Sequence, residues 1–327
     1  MLGEESLARI LVHYDLGEFR TRRRVSRGYV NEKWLVKTTA GQYLLKRRHP
    51  SLREPSLIGA QHALMQHLRS TGFPAPAVIP TRYTTTFLQL QNETYEIQEY
   101  IAGDPCDATN PVHLTAAART LGWYHNAVRG FDHPVFHRPR ERYGPTALGQ
   151  IIDRLMEAWH GRTSPQVDLL IGALEEQARD LTARFAEFNQ LPELVIHGDY
   201  YADNLIFEDD VVAGVVDYDL AHWCCRAMEL AEALIYFSTE RPGRLKHIVY
   251  AGVLNLEVVH GFLAAYTDTT PLSGSEAHAL PHLIRAIWLC ASLDPPLEPL
   301  MRLEAAPQAL PEVLRLATWA QEHALDM

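Results

Sequence analysis

The sequence predicts an α+β fold in two lobes, an N-terminal antiparallel sheet carrying one helix and a larger, mainly helical C-terminal part. Three observations lead there. Up to about residue 102 the apolar residues fall in short strand-like runs, interrupted once by a helical repeat. From Pro111 onward the apolar period is helical almost throughout. A single hairpin pattern returns at Leu205 to Val216, with acids and an amide crowding both of its ends. The lobes would therefore be residues 1–102 and 103–327, and a chain of 327 residues that is 47% hydrophobic is ample for their cores.

Taken in order, residues 5–15 carry Leu7, Ile10, Leu11 and Tyr14 at helical spacing before Gly17, a packing helix. The cluster Arg20, Arg22, Arg23 and Arg24 reads as a nucleic-acid patch, a solvated edge or a phosphate-facing strand. A net charge of −10 favours the last two, because nucleic-acid binders cluster Lys and Arg against phosphate. W-L-V-K-T-T and Q-Y-L-L-K-R-R are strands across the Ala40-Gly41 turn, and Lys46 on the second is a fixed ammonium or a surface lysine beside Arg47 and Arg48. The S-R-G-Y-V-N ahead of them has one glycine, Gly28, and suits a phosphate-covering loop or a plain turn. Residues 55–70 place Leu57, Ala60, Leu64 and Leu68 on one helical face, ended by Gly72 and Pro74. T-T-F-L-Q-L and Y-E-I-Q-E-Y-I add two strands across Asn92-Glu93, the second running into Ile101-Ala102-Gly103-Asp104.

Beyond Pro111, helices are expected over A-A-A-R-T-L-G-W-Y-H-N-A, 147–160, 165–188, 226–237, 244–266, 275–292 and 310–324. A lone His125 on an apolar helix reads as packing, and His260, His282 and Trp288 have no metal-ligand spacing. The four cysteines, Cys106, Cys224, Cys225 and Cys290, propose neither a metal site nor a disulfide framework, which suits a reduced, cytoplasmic chain. No signal pattern and no apolar run of roughly 18 to 20 residues is seen, so no membrane partner is expected. The oligomeric state is not legible.

The chemistry concentrates in Leu194 to Glu229. His197, Asp199 and Asn204 precede the first hairpin strand, and Asp217 and Asp219 close the second. Single Asp and Asn residues at strand ends are ordinary turn formers. A His-Gly-Asp triplet, an Asn five residues after the Asp and an Asp thirteen residues after the Asn form a pattern that turns do not require. Such oxygen ligands suit Mg²⁺ shared with substrate phosphates.

H-G-D-Y-Y-A-D-N, V-V-D-Y-D and R-A-M-E-L-A together resemble the aminoglycoside phosphotransferase and choline kinase superfamily, which has the protein-kinase fold and phosphorylates small-molecule hydroxyls. The resemblance implies ATP and Mg²⁺ as cofactors and a small hydroxyl compound as acceptor. Asp199 would face the acceptor hydroxyl, Asn204 and Asp217 would hold Mg²⁺, and Lys46 would pair with the α- and β-phosphates. The family loop is often G-x-x-N-x-N; here Gly28 and Asn31 match and Lys33 replaces the second Asn. The main chain at Glu99 to Ile101 would meet adenine, although the segment reads equally as an edge strand entering a linker. Gln61, or Glu54 as a substitute, aligns with the helix residue that anchors the strand lysine. Glu229 stands where an Asp usually braces the catalytic loop. Trp223, Cys224 and Cys225 are pocket or core, and Asp219 could assist the metal, bind a substrate amine or cap a turn. The texture of L-P-E-L-V-I-H-G-D-Y-Y-A-D-N-L-I-F is similar to the homoserine kinase branch, with aminoglycoside, choline, amino-alcohol and sugar acceptors open. Two readings of other classes are a nucleotide-binding protein without turnover and a metal-dependent hydrolase using His197, Asp199 and Asp217.

Overall fold

The computed structural model describes residues 2–25, 30–138, 142–160, 164–188, 190–239, 253–293 and 306–323. Six strands pair antiparallel at the N-terminal end: β1 (Phe19–Val25), β2 (Glu32–Thr38), β3 (Gln42–Arg47), β4 (Val78–Ile79), β5 (Leu88–Leu90) and β6 (Glu93–Glu99). Their order is β1-β2-β3-β6-β4, with β5 attached to β6. The period-2 pleat gives β6 two characters. Tyr95 and Ile97 join Trp34, Val36 and Leu45 in an apolar cluster under helix α1 (Glu4–Leu11). Thr94, Glu96 and Gln98 alternate with them and are also buried. The sheet thus has one oily face and one polar face.

Arg20, Arg22, Arg23 and Arg24 lie on β1, an exposed edge strand, and Arg23 also lines a cavity described below. The β5–β6 turn is one residue earlier than the sequence suggested. Gln91 and Asn92 both have positive φ, 51° and 64°, the left-handed pair of a tight hairpin turn. Helix α2 (Pro55–Ser70) turns Ala60, Leu64, Met65 and Leu68 away from the sheet cluster and into the large core of the C-terminal part.

That core is built by α3 (Pro111–Ala127), α4 (Pro145–Ala158), α5 (Pro165–Phe185), α6 (Arg226–Ser238), α7 (Leu256–Thr269), α8 (Gly274–Leu293) and α9 (Ala306–Glu322). Every residue of α6 is buried, so this helix is the axis of the lobe. The first part of the helix expected over 244–266 falls outside the described residues, and α7 accounts for the rest. Two small sheets sit between the helices and the N-terminal sheet: β7 (Asp104–Pro105) with the hairpin β9 (Leu205–Glu208) and β10 (Val211–Val215), and β8 (Glu193–Ile196) with β11 (His222–Cys225). The fold is α+β. Among the described residues no helix is long and apolar enough to cross a membrane.

Candidate active site

Strand β8 delivers the chain to His197-Gly198-Asp199, and a chain of buried groups fixes that turn. Gly198 has φ 75°, and a Cβ there would lie 2.3 Å from the Leu220 carbonyl oxygen, so no other residue fits. Its N–H donates to Glu229 Oε1 at 2.7 Å, and its carbonyl accepts from Arg142 Nη1 at 3.0 Å. Glu229 Oε2 accepts from His125 Nε2 at 2.9 Å, and His125 Nδ1 lies 2.7 Å from the Tyr266 hydroxyl. Burial alone would raise the Glu229 carboxyl, but His125, His197 and the Gly198 amide hold it below its ordinary value. The longer Glu therefore reaches the loop from α6. His125 is fully buried in this brace, in keeping with a packing role. His197 is buried too and donates through Nε2 to the Val216 carbonyl at 3.2 Å.

Asp199 is half-buried at the end of this turn. Asn204 Nδ2 donates to its carbonyl at 2.8 Å and to Oδ2 at 3.0 Å, while Oδ1 is buried without a hydrogen-bond partner. Burial, then the Asp217 charge, pushes its carboxyl up to about 7. Because the Asn204 N–H groups point at Asp199, the amide oxygen is the atom left to ligate a cation. Val216 N–H donates to the Asn204 carbonyl at 2.9 Å, which ties the two ends of the hairpin together.

Asp217 follows in a left-handed conformation, φ 73° and ψ 65°, that turns its carboxylate toward the N-terminal sheet. Lys33 Nζ lies 2.6 Å from Oδ2 and Lys46 Nζ 3.0 Å from Oδ1. Burial would raise this carboxyl, but the two ammonium groups hold it well below its ordinary value. Lys46 is buried and also donates to Asp219 Oδ1 at 2.6 Å. Arg48 Nη1 lies 3.0 Å from the same Asp219 oxygen, and Arg48 Nε donates to Glu96 Oε2 at 2.8 Å.

Several expectations change here. Neither Gln61 nor Glu54 anchors Lys46. Gln61 accepts from Arg48 Nη1 at 2.7 Å and donates to the Asp219 carbonyl at 2.9 Å, whereas Glu54 pairs with Arg138 at the surface. An amide cannot balance an ammonium, and carboxylates from the hairpin side and the sheet, Asp217, Asp219 and Glu96 at 3.8 Å, do so instead. Asp219 is thus an ion-pair partner of Lys46 and Arg48. Asn31 does not line the cavity: its Oδ1 accepts from His49 N–H at 2.8 Å and its Nδ2 donates to Asp219. Trp223 donates through Nε1 to Glu193 at 2.9 Å, and its ring lies 4.3 Å from that of His137. Gly28 lies outside the described residues. Arg48, Glu96, Arg142 and Glu232 were missed. Arg48 is two residues from Lys46 on one strand face, and Glu232 is three from Glu229 on one helix face, spacings that could have found them. Arg142 sits in a loop with no periodic signal.

Residues that act on Asp199 line two cavities, Asn204 and Asp217 in one and Arg142 and Glu232 in the other. One of about 210 Å³ is lined by Arg23, Lys33, Lys46, Asn204 and Asp217, with Gln98 to Ile101 along one wall. There Glu99 N–H donates to Ala77 and Tyr100 N–H to Gln42, whereas the Ile101 amide has no backbone acceptor among the described residues. Gly103, where a Cβ would meet the Phe207 carbonyl at 2.2 Å, clamps this connection onto β9. The second cavity, about 290 Å³, is lined by Arg142, Tyr143, Glu232, Cys224 and Cys225. Arg142 Nη1 lies 3.3 Å from Glu232 Oε1, which also accepts from the Tyr143 hydroxyl at 2.6 Å. The donor set fits a polyphosphate with a hard divalent cation: an ionised Asp217, a free amide oxygen on Asn204, and basic side chains on the opposite wall.

Comparisons with known proteins give the family and the fold. Residues 21–270 match the model of the APH phosphotransferase enzyme family. A homoserine kinase of Phenylobacterium zucineum is 28% identical over 286 residues, 86% of this chain and 81% of that one. A microcompartment-associated aminopropanol kinase superposes with a TM-score of 0.68 at 17% identity, covering 99% of this chain and 98% of that one. An amicoumacin kinase solved with AMP-PNP and Ca²⁺ superposes with a TM-score of 0.64 at 14% identity, covering 98% and 93%. The chain belongs to the phosphotransferase enzyme family, has its kinase-like fold, and is a small-molecule kinase with a hydroxyl acceptor.

Proposed function

We propose that the protein transfers the γ-phosphate of Mg-ATP to the side-chain hydroxyl of a small amino acid of the homoserine type. The observation that carries the reading is Asp199, whose buried Oδ1 has no partner and whose neighbours Asn204 and Asp217 line one cavity and Arg142 and Glu232 another. On this reading the lobes meet at Ile101 to Gly103, and the Ile101 main chain receives the adenine edge. Lys46 pairs with the α- and β-phosphates. Asp217 and the Asn204 amide oxygen hold Mg²⁺, which when bound neutralises charge on the phosphates as the terminal group moves.

Asp199 orients the acceptor hydroxyl in line and takes its proton at Oδ1. A carboxyl near pH 7 is matched to that task, since a general base works best with a pKa close to the operating pH. The acceptor class is supported by the homoserine kinase relatives and by the second cavity. Arg142 offers a planar guanidinium to a carboxylate and Glu232 a buried carboxylate to an ammonium, and both act on the charge of Asp199. The four cysteines are free thiols, which suits a reducing compartment such as the cytoplasm.

The test is ADP release from Mg-ATP with homoserine, 1-amino-2-propanol, choline and an aminoglycoside, run beside Asp199→Asn. Release stimulated most by homoserine and lowered by about 10²-fold or more in the variant is the expected result. Stimulation by the amino alcohol equal to that by homoserine would remove the carboxylate-binding part of the reading.

A further inference from the structure

Lys33 lines the same cavity as Lys46 and Asp217 and has no task in the proposed function. It lies directly opposite Lys46 in the β2–β3 ladder, and Lys46 in turn lies opposite Glu96 in β3–β6. Two ammonium groups facing each other across a strand pair repel. Here Asp217 from the other lobe reaches between them, one carboxylate oxygen to each. The two lysines are held very differently. Lys46 is also anchored by Asp219 at 2.6 Å and Glu96 at 3.8 Å. Among the described residues Asp217 is Lys33's ion-pair partner, and the four-carbon stem lets the ammonium move by several bonds.

Charge sharpens the contrast. Asp217, Asp219 and Glu96 are matched by Lys33, Lys46 and Arg48, all of them little exposed. A divalent cation arriving alone at Asp217 would have to displace Lys33 and would leave two positive charges uncompensated in a low-dielectric cleft. Phosphate oxygens arriving with it remove both objections, because they give Lys33 a new partner in the same cavity.

We propose that Lys33 is an exchangeable cation. Without nucleotide it occupies the Asp217 oxygen that a metal would use and keeps divalent ions out. With nucleotide it moves to the terminal phosphates and releases that oxygen. This rests on the reading of Asp217 as the metal ligand, and it makes metal and nucleotide binding cooperative through one side chain that departs from the family loop pattern.

The experiment measures Mn²⁺ binding by electron paramagnetic resonance without nucleotide, and ADP binding by calorimetry without metal, in wild type, Lys33→Met and Lys33→Arg. In Lys33→Met, nucleotide-free Mn²⁺ affinity should rise and metal-free ADP affinity should fall, each by about tenfold, the scale of one charge-assisted hydrogen bond. Lys33→Arg should stay near wild type in both, and equal thermal unfolding of the two variants excludes misfolding as the cause. Either affinity unchanged in Lys33→Met overturns the proposal. Asp217→Asn separates the underlying reading: if Mn²⁺ still strengthens ADP binding in that variant, Asp217 is not the metal ligand, whatever Lys33 does.

Discussion

Asp199 shows how one residue's burial sets its contribution to stability. Its carboxyl is pushed from the ordinary 3.8 up to about 7, first by burial and then by Asp217. The folded protein thus prefers the protonated form. Below pH 4 the folded and unfolded chains bind this proton alike, and between pH 4 and 7 the folded chain holds a proton that the unfolded one has lost. Stability from this group is therefore present at low pH and falls as pH rises through 7. Asp199→Asn carries no such penalty. Its melting temperature should exceed that of wild type at pH 8, by on the order of 2 kcal/mol in stability, and the gap should close toward pH 4 in a calorimetric pH series. A gap that is constant with pH would mean that the carboxyl titrates normally.

At the scale of elements, the His197-Gly198-Asp199 turn is held by a helix distant in sequence. Strand β8 can end in a sharp turn only because Gly198 accepts a left-handed backbone against the Leu220 carbonyl, and α6 then secures the turn through Glu229. In Gly198→Ala the methyl group would meet backbone and not a flexible side chain, so the turn itself must shift. Phosphoryl transfer depends on in-line placement to within a fraction of an ångström, and kcat should fall by about 10²-fold while nucleotide affinity, read by calorimetry, changes little. Unaltered kcat would show that the turn tolerates the shift.

For the molecule as a whole, the two lobes share packing across their division. The sheet has its own small apolar cluster, but α2 sends Ala60, Leu64, Met65 and Leu68 into the same core as α3 and α6. The polar face of the sheet is joined to the hairpin by Lys46, Arg48 and Asp219, so both oily and charged surfaces cross the division. Leu64→Ala should therefore lower one cooperative calorimetric transition, by about 2–5 kcal/mol in stability, without splitting it. Two separated transitions would assign α2 to a sheet lobe that melts alone.

The sequence by itself determined most of the elements and the chemistry-bearing segment. Helical and strand periods are local, so α2, α3, β2, β3, β6 and the hairpin could be read from apolar spacing. The same holds for His197, Asp199, Asn204 and Asp217, because a single turn–hairpin unit of fixed geometry brings them together. Even the substitution of Glu229 for a shorter acid was visible, though not that its extra length reaches Gly198. What the tertiary structure decided are the partners drawn from distant segments. The replacement of Gln61 by Asp219 and Glu96 around Lys46, the diversion of Asn31 to Asp219, and the meeting of Arg142 with Glu232 join residues between 50 and 188 positions apart. Ion pairing acts through space and is selected by whichever charges the packed lobes leave without water. Periodicity along a chain carries no record of that choice.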